Sequence, residues 1–172
     1  IVFPLDVMPE AVTDLQKLIA DHGYKDGCIY GHSIEGNFHF IINQNFSDDA
    51  EVKRFEGLID AVVDLVVDKY DASLKGEHGT GRNIAPFVRR EWGDQAYAVM
   101  KEVKDLFDPR NLLNTGVIFN DDPKCHIKHL KHLTKTNDHV DKCIECGFCE
   151  VNCLTCGFTL SARQRTVIQR EI

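Results

Sequence analysis

The sequence predicts an α+β fold in which helices pack on an antiparallel sheet, followed by a linker and the start of a separate cysteine-rich, helical segment. Three observations predict it. Helical and extended patterns alternate in the order helix, two strands, helix, strand, helix. Between the two adjacent strands lie Glu35 and Gly36, the composition of a tight hairpin turn. Beyond Asn120 the apolar periodicity fades, and five of the seven cysteines crowd between Cys143 and Cys156.

Each element has its own local signal. From Pro9 to His22, Val12, Leu15, Leu18 and Ile19 recur at helical spacing, and Gly23 stops the run. Two β-rich stretches follow, Gly27 to Ser33 and Asn37 to Asn45. A long helix is expected from Asp48 to Tyr70, with an apolar stripe of Val52, Phe55, Leu58, Ile59, Val62, Leu65 and Val66. Its row of Glu56, Asp60, Asp64 and Asp68 is read as a solvated face without chemistry. A short strand is expected at Ala72 to Lys75, then the glycine-punctuated loop Gly76-Glu77-His78-Gly79-Thr80-Gly81. A last helix carries Ala96, Val99, Met100, Val103, Leu106 and Phe107 and ends at Asp108-Pro109. A further strand is expected upstream of Ile1. Both chain ends read as cuts in a longer protein.

Composition narrows the function classes. With 43% apolar and 27% charged residues and a net charge of -7, the chain has the makeup of a globular protein and lacks the basic excess that nucleic-acid binding needs. No run reaches the roughly eighteen apolar residues of a membrane span, and the first residues lack a secretory pattern. The expected location is the cytoplasm, in solution or peripheral to the inner membrane. Crowded cysteines in a reducing compartment point to a metal or cluster site before disulfides.

Two candidate sites emerge from spacing. If Glu35 and Gly36 form a two-residue turn, His32 and His39 stand directly opposite each other, with Cβ atoms about 5 Å apart. Glu77 would complete a set of two imidazoles and one carboxylate, the donor set of an open zinc-like site, and His78 beside it would serve as a base. Spacing alone leaves open that the two histidines are partly buried strand residues and that the glycines only make turns. The second site is Cys143-x2-Cys146-x2-Cys149-x3-Cys153, the spacing of a 4Fe-4S motif whose fourth cysteine serves a second cluster, with structural zinc as the alternative. Leu154 stands where proline is usual, and Cys156 is an additional thiol. No second set of cysteines follows, so the cluster is expected to be incomplete in this chain. Ser161 with Gln164 reads as a capping box opening a terminal helix. Residues 121-141 read as a linker, in which His126, His129 and His132 are expected to be exposed.

Gly31-His32-Ser33-Ile34-Glu35-Gly36-Asn37-Phe38-His39, Gly76-Glu77-His78-Gly79-Thr80-Gly81 and Asp108-Pro109-Arg110-Asn111-Leu112-Leu113-Asn114-Thr115-Gly116 occur in an order that resembles the C-terminal domain of FAD-linked D-2-hydroxy-acid dehydrogenases, which act on D-lactate, glycolate or D-2-hydroxyglutarate. Lys142 to Glu150 and Ser161 to Arg165 also resemble long bacterial members fused to an iron-sulfur domain. The resemblance implies a ferredoxin-like cap over residues 1-120, a linker over 121-141 and a truncated 4Fe-4S segment over 142-172. It implies that His32, His39 and Glu77 hold a divalent metal, zinc by preference, and that His78 is the catalytic base. Asn114 would lie near the flavin, although Thr115 and Val117 stand where proline and lysine are common. Many members carry aspartate at the position of Glu35 and asparagine at that of Ile41, which leaves the substrate open.

The resemblance thus implies a flavoprotein oxidoreductase that oxidises a small D-2-hydroxy acid, passing electrons to FAD and on through iron-sulfur clusters to an outside acceptor. FAD would be held mainly by an N-terminal part outside this chain, and the chain alone would be inactive. A non-catalytic zinc-binding module and an electron-transfer subunit that docks on a flavoprotein are the alternatives.

Overall fold

The first helix, α1 (Met8–Asp21), forms where Ala11, Leu15 and Ile19 recur every fourth residue, and these three are its buried face. It stops because the N–H of Gly23 returns to the carbonyl of Ala20 and that of Tyr24 to Ile19, which satisfies carbonyls the helix leaves free. The computed structural model describes residues 1–172, divided into two units: Ile1–Gln44 with Val52–Leu130, and Asn45–Glu51 with Lys131–Ile172.

In the first unit, β1 (Cys28–His32) and β2 (Asn37–Ile41) pair antiparallel. The register differs from the expected one. His32 pairs with Asn37, and His39 pairs with Tyr30. The connection is not a two-residue turn but the four residues Ser33 to Gly36, a 3-10 turn closed by Gly36 at φ 67°. Only glycine takes that conformation at little cost, and a Cβ there would stand 2.2 Å from the Phe3 carbonyl oxygen. Because side chains alternate with period two, a register displaced by two residues leaves every side chain on its expected face. Residues 1-3 extend the sheet beyond β2: Val2 bridges both Asn37 and Ser73, so the expected strand at Ala72 to Lys75 is reduced to a single bridge.

The long second helix is α2 (Asp49–Val63), continued by a π-helical turn over Asp64–Lys69 and ended at Tyr70. Leu58, Val62, Val63 and Val66 meet Leu15, Ile19, Phe3 and Tyr24 in the core. The acidic row on its outer face does take partners: Arg90 donates to both Asp64 and Asp68, and Lys124 pairs with Glu56.

After the Gly76–Gly81 loop come a short α3 (Gly81–Ile84) and α4 (Val88–Phe107). Gly93, at φ 74° and ψ 167°, breaks α4 into two stretches. The expected apolar stripe is on this helix, yet Val99, Val103, Leu106 and Phe107 are exposed. Of the expected linker, Cys125 and His126 are buried, against the expectation of an exposed His126. No helix is long and apolar enough to cross a membrane.

In the second unit, the cysteine-bearing segment is made of loops and 3-10 turns at Val140–Lys142 and Glu150–Asn152, followed by α5 (Ala162–Glu171). The capping box of Ser161 and Gln164 is formed as expected.

Candidate functional site

Strand alternation puts Tyr30 and His32 of β1 on the same face as Asn37 and His39 of β2, so His32 and His39 are diagonal neighbours. Their ring centroids are 6.0 Å apart, and the Tyr30 ring stacks on His39 at 5.3 Å. The loop carrying Glu77 is seated against the sheet because Gly76 has no side chain: a Cβ there would meet Val2 at 2.1 Å and Asn37 Oδ1 at 3.1 Å. Residue 78 takes a left-handed conformation, φ 65°, which turns the chain so that two consecutive side chains, Glu77 and His78, face the same cluster.

Glu77 is the centre of the arrangement. Its Oε1 lies 2.5 Å from His39 Nε2 and 3.5 Å from His32 Nε2, and its Oε2 is 3.8 Å from His78 Nε2. Asn37 Nδ2 donates to Oε1 at 3.0 Å. Partial burial pushes the Glu77 carboxyl up, but the hydrogen bonds from His39 and Asn37 and the nearby imidazoles outweigh it, so its pKa falls below the ordinary value and the group is ionised at neutral pH. The ligand atoms of His32, His39 and Glu77 lie within 4.8 Å of one another. Donors bound tetrahedrally to one zinc-like ion at roughly 2.1 Å stand about 3.4 Å apart. Rotation of the exposed His32 side chain would have to close the set around an ion. Asn37 Oδ1, buried and without a partner, adds an oxygen acceptor beside this set. The residues fit a divalent cation.

His39, Glu77 and His78 form one border of a cavity of about 300 Å³ whose other walls are largely apolar side chains of β2 and α2. Such a size and lining, with a few polar groups converging at one place, is the usual form of a small-molecule site.

Residues 1–118 match the family of FAD linked oxidases, C-terminal domain. The chain belongs to this family. Among its relatives, a probable mitochondrial D-lactate dehydrogenase of Danio rerio is 31% identical over 115 residues, covering 67% of this chain and 23% of that protein. A D-2-hydroxyglutarate dehydrogenase of Haemophilus influenzae is 30% identical over 120 residues, 67% of this chain and 11% of its own length. The glycolate oxidase subunit GlcD of Bacillus subtilis is 30% identical over 97 residues, 56% of this chain and 20% of that one. The chain therefore spans less than a quarter of the length of these relatives.

Within the FAD-linked oxidase domain, Asn114 sits apart from the histidine cluster's cavity. It is exposed, with φ 45°, and lines a second, more polar cavity of about 250 Å³ together with Tyr97, Lys101 and Lys104. The loop that presents it is held by Asp108, which accepts the N–H groups of Leu112 and Leu113 and the Lys104 ammonium.

All seven cysteines are free. Cys143 and Cys153 are half-buried, and Cys146, Cys149 and Cys156 are exposed. The four cysteines of the motif do not gather into a ligand group as His32, His39 and Glu77 do. Cys153 is nevertheless tuned: the Thr155 hydroxyl and the backbone N–H groups of Thr155, Ala162 and Cys156 pull its thiol down to about 7.

Sequence reasoning missed two residues here. Asn37 carries no spacing signal of its own, and only the true register exposes its pairing with His32. His126 lines the same cavity as His39, Glu77 and His78, and its surroundings in sequence are those of a surface segment.

Proposed function

We propose that this chain supplies the substrate- and metal-binding part of a flavoprotein that oxidises a D-2-hydroxy acid to the 2-oxo acid. The observation that carries this reading is the convergence of His32, His39 and Glu77, with His78 beside them, on one cavity. Residues 1-120 form the catalytic domain in this reading, 121-141 a linker and 142-172 the start of a 4Fe-4S segment.

In this reading His32, His39 and Glu77 hold a divalent metal, zinc by donor set, which when bound lowers the pKa of a coordinated hydroxyl. FAD supplies the acceptor for the electron pair that leaves with the carbon-bound hydrogen. The protein's own part is positioning and proton transfer. The imidazole of His78 would take the hydroxyl proton as the carbonyl forms, and the carbon-bound hydrogen would leave with its electron pair. Asn37 keeps the Glu77 carboxylate oriented through its amide, the role of a positioning partner behind a metal ligand. Asn114 matches a family position near the flavin and would contribute to its binding. Cys143, Cys146, Cys149 and Cys153 would hold an iron-sulfur cluster, a group that relays single electrons when bound. The D-lactate and D-2-hydroxyglutarate dehydrogenase names of the relatives support the substrate class.

The test is flavin reduction by D-2-hydroxy acids in the flavin-loaded full-length protein. His39→Ala should lose bound metal and turnover together. His78→Gln should keep metal and flavin and lose roughly 100-fold or more in rate. Reduction at the wild-type rate in both variants would refute the site. Iron and acid-labile sulfide in anaerobically purified protein are expected from the cysteine motif, and zinc without sulfide would refute that part.

A further inference from the structure

His126 is 5% exposed, and both of its ring nitrogens are buried without a hydrogen-bond partner. A neutral imidazole carries one donor and one acceptor, and leaving both unmade in a protein interior is costly. The Phe87 ring meets it edge-on at 5.2 Å, an apolar contact. The same imidazole lines the cavity that His39, Glu77 and His78 border. His126 also lies beyond residues 1–118, the part that matches the family.

Phe40, Ile59, Val62 and Ile84 line the same cavity. Its volume of about 300 Å³ is on the order of ten water molecules at the liquid volume of roughly 30 Å³ each. An acid held at the histidine cluster with only a methyl side chain would leave most of that space unfilled. Burial holds the His126 imidazole below the ordinary histidine range, so it meets a ligand uncharged. One donor and one acceptor on the cavity wall are both satisfied by an uncharged group such as a hydroxyl, whereas a carboxylate only accepts, and the Lys75 ammonium that also lines the cavity is exposed to solvent.

We propose that this cavity receives the side chain of the 2-hydroxy acid, that the side chain is an apolar chain longer than a methyl group, and that His126 recognises an uncharged hydrogen-bonding group at its end. This rests on the proposed function above and assigns that site its substrate class. His126 is a specificity residue in this assignment, contributed by the segment that follows the family domain.

The experiment measures kcat/KM for flavin reduction in the flavin-loaded full-length protein with four probes: D-lactate, D-2-hydroxyhexanoate, D-2,6-dihydroxyhexanoate and D-2-hydroxyglutarate. The dihydroxy acid should exceed D-lactate by at least about ten-fold. His126→Phe should lower it roughly ten-fold while D-lactate changes less than about three-fold, and His126→Gln, which retains a donor and an acceptor, should keep most of the activity. Ile84→Phe, which narrows the cavity from another wall, should produce the same selective loss, and thermal melts of both variants check that they fold. An equal loss for D-lactate in both variants means a structural role and overturns the proposal, as does a preference for D-lactate or D-2-hydroxyglutarate in the wild type. His39→Ala separates the two readings. If it abolishes turnover while D-lactate is the best substrate, only the cavity assignment fails; if it stays active, the site reading fails and takes this inference with it.

Discussion

Replacing Arg170 with alanine should unfold the cysteine-bearing segment locally. The Arg170 and Glu145 side chains are both 4% exposed, with Nη1 2.5 Å from Oε1. Arg170 Nη2 donates to the carbonyls of Val140 and Cys143 at 2.9 and 2.7 Å. Alanine would leave Glu145 with only the Lys131 ammonium, whose side chain is two-thirds exposed, and would leave two carbonyls without these donors. Breaking a buried ion pair from one side costs about 3–5 kcal/mol, and the remaining lysine argues for the lower end. At roughly 0.05–0.15 kcal/mol per residue, a segment the length of Lys131–Ile172 has only a few kcal/mol in all. A loss of ~3 kcal/mol should therefore speed amide exchange at Asp141 and Cys143, and alkylation of Cys143, by about 100-fold. Exchange followed by mass spectrometry on the 172-residue chain under reducing, metal-free conditions would show it. Replacing both partners, Glu145→Leu with Arg170→Met, should restore part of the protection, because no buried charge is then left alone although the Val140 and Cys143 carbonyls still lack these donors. Unchanged exchange at Cys143 in the single variant would refute the claim that this pair holds the loop.

Two other groups give pH-dependent outcomes. The Lys104 ammonium, followed by the N–H groups of Leu112 and Leu113, pulls the Asp108 carboxyl down to about 2. Because an unfolded aspartate titrates near pH ~3.9, the folded group is the stronger acid, and its contribution is complete above that value and lost as the pH falls toward 2. Exchange at the Leu112 and Leu113 amides should rise over that window, and Asp108→Ala should show the same rise at neutral pH; protection that persists at pH 2 would count against it. Cys153, with its thiol near 7, should alkylate faster at neutral pH than the exposed Cys146. The single Thr155 hydroxyl proton has two acceptors, Cys153 Sγ at 3.3 Å and the Leu160 carbonyl at 3.0 Å, so Thr155→Val decides its share: an unchanged Cys153 rate assigns the proton to Leu160.

Helix ends and the two hairpin strands were legible because their signals are local: Leu15 and Ile19 repeat at four, Gly23 stops α1, and Ser161 with Gln164 opens α5. The grouping of His32, His39, Glu77 and His78 was legible for the same reason, since each of their blocks is short and distinctive. The hairpin register was not, because Glu35-Gly36 reads as a turn while the chain uses Ser33 to Gly36, and the longer connection is settled by Gly36 lying against the Phe3 carbonyl. The stripe of Val99, Val103, Leu106 and Phe107 shows where periodicity ends as evidence: it specified a helix and left open whether that face is covered.

What the sequence by itself determined is the fold class and the family, and it singled out the side chains proposed to carry the chemistry, because those readings depend on residue type and near-neighbour spacing. Only the tertiary structure decided that His39 and Asn37 meet Glu77 some forty positions away, that Asn37 belongs to the cluster at all, and that His126 is buried with empty hydrogen-bonding nitrogens instead of exposed on a linker. Those outcomes depend on the close approach of Gly76 to Val2 and Asn37 and on the folding of residues 125 and 126 back against Arg82 and Phe87. Contacts between distant segments are chosen by packing and desolvation, and no short window of residues contains them.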